Sequence, residues 1–350
     1  MLGLCHYSPI TGDDSRVCSH RSHQVTWLNS ARKTLFWFVA LLLVAGGLYF
    51  FDQRVAEQEQ VLEENLKLFP FTVEAVDEFS IHSEQDGLRV KVIRREGRWW
   101  LTEPVAAKGD DARIESILSN IVLARKDRTL FDQADAAKLQ ELGLENPVLE
   151  MTFLVSGDET TILFGGAGPT HNVAYAMFSG DPRVYRIHSD VRAEADKGIY
   201  ELRDKSLLEF DPVKLRRFEM DRRGQPRLVV EHDEGRWHLL EPGKAKASQE
   251  NVLEGLFMIK DAEIEHFLGV TSGEQESSDL ESYGLPSPRI RISIVDEQRK
   301  EPYVLIIGDK DRVRRGYFAV TNRSEEIIVI AEELVNYFLS VKDNWRESQA

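Results

Sequence analysis

The residue types best suited to chemistry are few and scattered. Cys5, His6, Cys18, His20 and His23 are zinc-ligand types. The two cysteines have twelve residues between them, where a zinc site uses roughly two to four. No strand or helix pattern frames them, so the segment reads as a polar tail. His82, His171, His188, His232, His238 and His266 follow with no ligand spacing. Gly165-Gly166-Ala167-Gly168-Pro169 is glycine-rich but lacks the Lys and Ser/Thr of a phosphate loop and does not open a helix. It reads as a turn. Glu103 and Glu241 occupy the same place in two repeated stretches and would form an acid/base pair only if the repeats met there. Equivalent residues of tandem repeats normally stand apart, each at its own strand end. Arg312-Val313-Arg314-Arg315 reads as a solvated hairpin tip, and Asn322-Arg323-Ser324 as a formal glycosylation sequon. No catalytic residue, cofactor site or metal site is expected, and the chain reads as non-enzymatic.

Composition bounds the rest. The chain has 350 residues, 42% hydrophobic and 29% charged, with net charge −15. That is enough for about two domains with real cores. Residues 1–34 carry four basic and two acidic side chains, +2, which leaves −17 for the remainder. An acidic body argues against nucleic acid as a partner, because phosphate binding needs a basic face. Both cysteines precede the long apolar run, so no disulfide framework supports the body.

That run, residues 35–51, is LFWFVALLLVAGGLYFF, 17 residues without a charge. It is at the short end of what spans a bilayer. Arg32 and Lys33 precede it, and Asp52, Glu57, Glu59, Glu63 and Glu64 follow. The positive-inside rule then places residues 1–34 in the cytoplasm and the body on the other side of the membrane. The rival reading is a cleaved signal peptide with a site near Ala45-Gly46-Gly47. The apolar run continues past that point, which favours an uncleaved single-pass anchor. Residues 52–70 are polar and free of Gly until Pro70. They predict a helical stalk, with Val55, Leu62, Leu66 and Phe69 as a weak stripe through which a homodimer could form.

The body is written twice. Gly97–Pro104 is GRWWLTEP and Gly235–Pro242 is GRWHLLEP, identical at six of eight positions. Before each lie alternating strand patterns, and Asp86-Gly87 marks a hairpin. In the repeated strand Trp99 and Leu101 face one way and Trp100 the other, and Pro104 ends it. Ile114, Ile117, Leu118, Ile121 and Val122 give an amphipathic helix over 110–124. Its echo starts at Ser248 with Val252, Leu253, Leu256 and Phe257. Gly143-Leu144 with Pro147, and Gly284-Leu285 with Pro288, each predict a short helix closed by a left-handed glycine. Four strands follow in each copy, at 149–155, 160–164, 173–178 and 183–187, then 290–295, 303–307, 317–321 and 327–330. Gly165 answers Gly308, and Tyr175 answers Tyr317. A closing helix is expected near 191–202 and near 332–344. Leu202-Arg203-Asp204 resembles Trp345-Arg346-Glu347. The halves join near Asp211 without a long linker, so they should pack together. The expected architecture is α+β: two tandem repeats, 71–210 and 211–346, of mostly antiparallel short strands with two to three helices each, after one transmembrane helix.

These motifs carry a resemblance. Trp99, Leu101 and Pro104, then Gly143, Leu144 and Pro147, then Gly165 and Tyr175 resemble the pattern of a bacterial domain-of-unknown-function family. The second half offers Trp237, Leu239, Pro242, Gly284, Leu285, Pro288, Gly308 and Tyr317. The first half departs with Leu142 for Tyr and Phe164 for Ile. The resemblance implies a membrane-tethered extracytoplasmic protein associated with gliding-motility-type ABC transporter components, and it implies no catalytic residues. The expected function is an accessory subunit that docks on an ABC permease or other envelope proteins. A cell-envelope scaffold without a transporter is the alternative, and a hydrolase is third.

Overall fold

A computed structural model describes residues 26–84, 87–168, 170–269, 280–341 and 345–347. The cysteine-containing tail, with its cluster of histidines, lies outside the described residues. By its contacts the chain divides between Leu66 and Lys67 into two units.

The first unit holds helix α1, Thr26–Leu66, 41 residues long. Within it Leu35–Val55 is long and apolar enough to cross a membrane. Trp37, Leu43 and Phe51 are 71%, 72% and 69% exposed. Protein packing does not cover this surface, so a membrane anchor or a signal sequence accounts for it. The helix ends at Leu66, four residues before the expected break at Pro70. The cause is burial: Leu68 and Phe69 enter a hydrophobic core, and the Leu68 N–H donates to the Ala124 carbonyl at 3.0 Å. Phe69 is therefore a core residue and not the last of a helical stripe.

The second unit contains both repeats. The first comprises β1 (Val76–Ser83), β2 (Leu88–Arg95), β3 (Arg98–Glu103), β4 (Ala107–Lys108), α2 (Asp111–Val122), β5 (Lys126–Phe131), α3 (Ala136–Glu141), β6 (Leu149–Val155), β7 (Asp158–Ala167), β8 (Val173–Phe178), β9 (Val184–His188), α4 (Ser189–Ala195) and α5 (Ile199–Leu202). The second comprises β10 (Leu215–Arg222), β11 (Leu228–Asp233), β12 (Arg236–Glu241), β13 (Ala245–Lys246), α6 (Gln249–Lys260), β14 (Ile264–Phe267), β15 (Ile290–Asp296), β16 (Tyr303–Asp311), β17 (Gly316–Thr321), β18 (Ser324–Ala331) and α7 (Glu332–Ser340). Among the described residues each repeat forms one nine-stranded antiparallel sheet. The orders are β4-β3-β2-β1-β6-β7-β8-β9-β5 and β13-β12-β11-β10-β15-β16-β17-β18-β14. Two meanders meet at β1–β6 or β10–β15, and a strand from the middle of the repeat returns to close the far edge.

Period-two burial puts Trp99 and Leu101 in the core and leaves Trp100 37% exposed. Asp110 caps α2 by accepting from the Arg113 N–H at 3.0 Å, and the helix buries Ile114, Ile117, Leu118, Ile121 and Val122. The edge strands β5 and β14 are additions to the expected order. So are the lead-in bridges Lys67↔Arg125 and Ser206↔Glu263. Each repeat thus begins with a lead-in that boundaries at 71 and 211 leave outside.

The structure also corrects several expectations. Gly165, Gly166 and Ala167 are not a turn but the end of β7, where the register shifts between Phe164 and Ala167. The first closing helix is broken into α4 and α5 at Asp196–Gly198, and the second ends at Ser340. Register pairs Tyr175 with Arg186 and Phe318 with Val329. Tyr175 is therefore equivalent to Phe318, and Tyr317 is equivalent to Ala174. A slip of one residue exchanges sheet faces, which is why Tyr317 is buried. On α6 the core face is Val252, Gly255, Leu256 and Ile259, while Phe257 is 42% exposed. Trp345 fills the space over Gly255 that Ile117 occupies in the first repeat.

Candidate functional site

The repeated motif residues are placed by packing. Trp99 lies against Phe79 in a T-shaped contact with centroids 5.6 Å apart, under the Arg94 guanidinium at 4.3 Å. The Asp111 carboxylate accepts from its backbone N–H at 2.7 Å, and Gln249 does the same for Trp237 at 2.8 Å. Strand and following helix are thereby locked together in both copies. Pro104 and Pro242 follow cis peptide bonds at the two strand ends.

Gly143 and Gly284 close their helices at φ 69° and 70°. The Leu144 N–H donates to Leu139 and the Gly143 N–H to Gln140, with Leu285→Leu280 and Gly284→Glu281 as the counterparts. This double bond pattern satisfies the last helical carbonyls. Leu144 and Leu285 are buried, and Pro147 and Pro288 stand where each strand begins. The helix end then meets the strand glycine. The Leu142 carbonyl accepts from Gly166 N–H at 2.9 Å, and the Tyr283 carbonyl from Asp309 N–H at 2.7 Å. A Cβ at Gly165 would lie 2.3 Å from the Leu142 oxygen, and one at Gly308 2.1 Å from the Tyr283 oxygen. The structure therefore joins the second and third motifs within each repeat, while the Trp motif serves the α2 or α6 side of the core.

The strongest concentration of charge lies elsewhere, in the seam between the repeats. After α5 the chain turns through Arg203–Glu209. The Asp110 N–H donates to Leu202 O and the Asp204 N–H to Lys108 O, both at 3.0 Å. The chain then crosses to the second sheet, where Ile264 N–H donates to Lys205 O at 2.8 Å and Leu207 N–H to Ala262 O at 3.2 Å. Arg203 is 8% exposed. Its guanidinium makes a two-bond contact with Glu326, at 3.1 and 2.5 Å, and lies 3.6 Å from the centroid of the Phe267 ring. Arg323, at the tip of the β17–β18 hairpin, reaches Asp204 at 2.6 Å and the Ser206 carbonyl at 2.8 Å. Lys108 bridges Asp204 at 3.1 Å and Glu209 at 2.6 Å. The Tyr200 hydroxyl donates to Ile264 O at 3.1 Å.

Two hollows open along this seam. One, of about 470 Å³, is bounded by Trp100, Lys108, Arg203, Phe267, Arg323 and Glu326. The other, of about 650 Å³, shares Arg203, Phe267 and Glu326 and adds Val105, Tyr200 and His266.

The electrostatics of the seam fix charge states. Burial by itself would raise the Asp204 carboxyl, but the Ser206 hydroxyl and N–H and the Arg323 guanidinium outweigh it and hold Asp204 well below the usual carboxylate range. Burial also opposes the Lys108 charge, and the bonds to Glu209 and Asp204 reverse that and raise it. Burial pushes the Tyr200 hydroxyl up, with Glu265 and Glu263 adding to it. A carboxylate kept ionised by fixed donors is a clamp and not a proton carrier near neutral pH.

Glu103 and Glu241 end β3 and β12 in separate sheets and are both exposed. His188 Nδ1 accepts from the Asp190 N–H at 3.3 Å. No group of three or more metal-ligand side chains occurs among the described residues. Asn322 of the sequon ties its own hairpin to β16, accepting from Val304 N–H at 2.9 Å and donating to Pro302 O at 2.8 Å. Val313 is 86% exposed at the arginine-rich tip of β16–β17. Of the seam residues, Phe267 and Glu326 escape the sequence reading, and Arg323 enters it only within the sequon. Arg203 and Asp204 have one signal, the echo of Leu202-Arg203-Asp204 in Trp345-Arg346-Glu347.

Comparison with known proteins gives one finding. The family described as Domain of unknown function (DUF4340) matches at residues 99–277 and again at 237–350, and the two matches begin at the equivalent tryptophans Trp99 and Trp237. Neither a curated protein nor a solved structure matches the chain.

Proposed function

The chain belongs to the DUF4340 family, and with that as premise we propose that it is a membrane-anchored extracytoplasmic accessory protein. It docks on a membrane partner through the double-repeat body. The observation that carries this reading is the seam. Arg203 with Glu326 and Asp204 with Arg323 fasten one repeat to the other, and Lys108 braces Asp204 from its own side, which makes a rigid two-lobed surface. Leu35–Val55 supplies the tether, and tethering raises the local concentration of that surface beside a membrane partner without any new contact. An ABC-type permease is the partner that the resemblance implies, with residues 1–34 in the cytoplasm of a bacterial inner membrane.

The test is a pull-down of the C-terminally tagged chain from membranes in mild detergent, with partners identified by mass spectrometry. A parallel chain carries an unrelated transmembrane helix at Leu35–Phe51. Recovery of a permease and its ATPase with both chains supports recognition through the body. Recovery with the native helix alone moves the interface into the bilayer, and recovery of neither defeats the reading.

A second reading has one observation in its favour. Trp100 and Tyr200 are 37% and 39% exposed and border the seam hollows, and exposed rings of this kind stack on sugars. Sedimentation of the body with purified peptidoglycan or envelope polysaccharide, without recovery of a transporter, would favour a cell-envelope scaffold.

A further inference from the structure

The seam joins two unlike faces, and each repeat owns a copy of both. Repeat 1 contributes β3–β4 and the segment after α5. Repeat 2 contributes β14 and the start of β18. Register makes the equivalences firm. Trp100 pairs with Lys108 as His238 pairs with Lys246, and Gly109 bridges Arg203 as Ala247 bridges Arg346. His238, Lys246 and Arg346 are therefore the second-repeat counterparts of Trp100, Lys108 and Arg203. The outer hydrogen bonds are repeated as well: Ser248 N–H donates to Trp345 O at 2.8 Å and Glu347 N–H to Lys246 O at 2.9 Å.

The two copies differ in what covers them. Repeat 2 closes over Arg203, which is 8% exposed. The corresponding Arg346 and Glu347 are exposed. Along the β12–β13 edge of the same repeat lies a hollow of about 560 Å³, bounded by Glu231, Asp233, His238, Lys244, Ala245 and Lys246; the last four are the counterparts of Trp100, Ala106, Ala107 and Lys108 in the seam. We infer that this end of repeat 2 is a second docking face, built like the first, for a separate protein that brings a sheet edge with a carboxylate opposite Arg346. The inference rests on the accessory reading and gives that reading a surface.

Two observations choose the occupant. In the seam the equivalent face is filled by a sheet edge that presents Glu326 to Arg203. A partner that presents a carboxylate to Arg346 is thereby favoured. Repeat 1 of a second copy carries the equivalent face with other residues on it. Its counterpart of Glu326 is Arg183 and its counterpart of Phe267 is Thr129, as the β5–β9 and β14–β18 registers show. Arg346 would meet there Arg183, whose guanidinium is already paired with Asp181 at 2.6 Å, in place of the Glu326 carboxylate. Head-to-tail stacking into filaments, the ordinary hazard of such an interface, is opposed by that substitution.

The experiment places a photo-crosslinking amino acid at Lys244, and in a second variant at His238, in the full-length chain in its native membrane. A control site is Arg128 on the repeat 1 counterpart of the β14 face. The expected result is one adduct at the test positions with a different polypeptide. Its contact peptide should hold an Asp or Glu on a strand edge. Arg346→Glu should weaken the adduct at least about tenfold, as breaking a docked charge pair does, and reversal of the partner's carboxylate to lysine should restore it. An adduct between two copies, an adduct with lipid or glycan, or no adduct at either position would overturn the inference. If the pull-down recovers a membrane partner while these positions give none, the docking face alone falls. If the pull-down fails as well, the accessory reading falls with it.

Discussion

Gly308 stands where a methyl group would lie 2.1 Å from the Tyr283 carbonyl oxygen and 3.2 Å from Leu285. The oxygen is held by the helix end and cannot yield, so Gly308→Ala must push β16 off the short helix. Equilibrium denaturation should show a loss of about 1–3 kcal/mol, the usual cost of overpacking. Gly243→Ala is the control, since its Cβ would meet only Arg346 at 3.8 Å. A second pair tests how the two copies diverged. Repeat 1 packs Ile117 and Leu202 where repeat 2 packs Gly255 and Trp345. A Cβ at Gly255 would lie 2.5 Å from the Trp345 ring. Gly255→Ile should therefore destabilise strongly, and adding Trp345→Leu should recover most of the loss in the same denaturation series. A double-variant loss equal to the sum of the two single losses would show that the sites do not exchange volume.

Elements repeat the lesson with longer reach. The hairpins, α2 and the glycine-closed short helices were legible because their causes are local: alternation, a capping Asp110, a glycine at positive φ. β5 and β14 were not, because Lys126 pairs with Ile187 and Ile264 with Ile330, far along the chain, and the strand Ile264–Phe267 has only four residues. Tyr175 and Tyr317 look alike in sequence, yet a one-residue register difference puts them on opposite faces. The connecting element Arg203–Glu209 has its own testable chemistry. The Asp204 carboxyl is depressed in the folded chain, so it contributes stability above its unfolded pKa of about 3.9 and loses it as the pH falls through the folded value. Asp204→Asn should be less stable than the parent at pH 7. The gap should narrow below about pH 4, where the parent begins to lose the same contribution. Denaturation midpoints measured from pH 7 downward read this directly, and a constant gap would show that the ion pairs with Arg323 and Lys108 are not what the substitution removes.

At the scale of the molecule the question is whether two repeats behave as one body. Each has its own hydrophobic core, so each has the means to unfold alone, and the seam decides whether it does. Arg203 and Glu326 have side chains 9% and 12% exposed, with the guanidinium stacked on Phe267. Removing one partner of such a buried pair leaves the other charged and dry, at a cost of about 3–5 kcal/mol, whereas replacing both with apolar groups costs far less. Arg203→Met should therefore weaken the coupling between repeats. The parent chain is expected to denature in one step and the variant in two, and protease should cut the variant between Asp204 and Pro212. Arg203→Met combined with Glu326→Leu should restore one step and protection. If Arg203→Met lowers the midpoint and leaves one step, the pair supports the second repeat alone and the cores are coupled by Leu207, Leu208 and Phe210, which lead from the seam into the second core. Under the proposed accessory role the docking body is rigid only as far as that coupling holds, so the same variant should also recover less partner in the pull-down while helix α1 is unchanged.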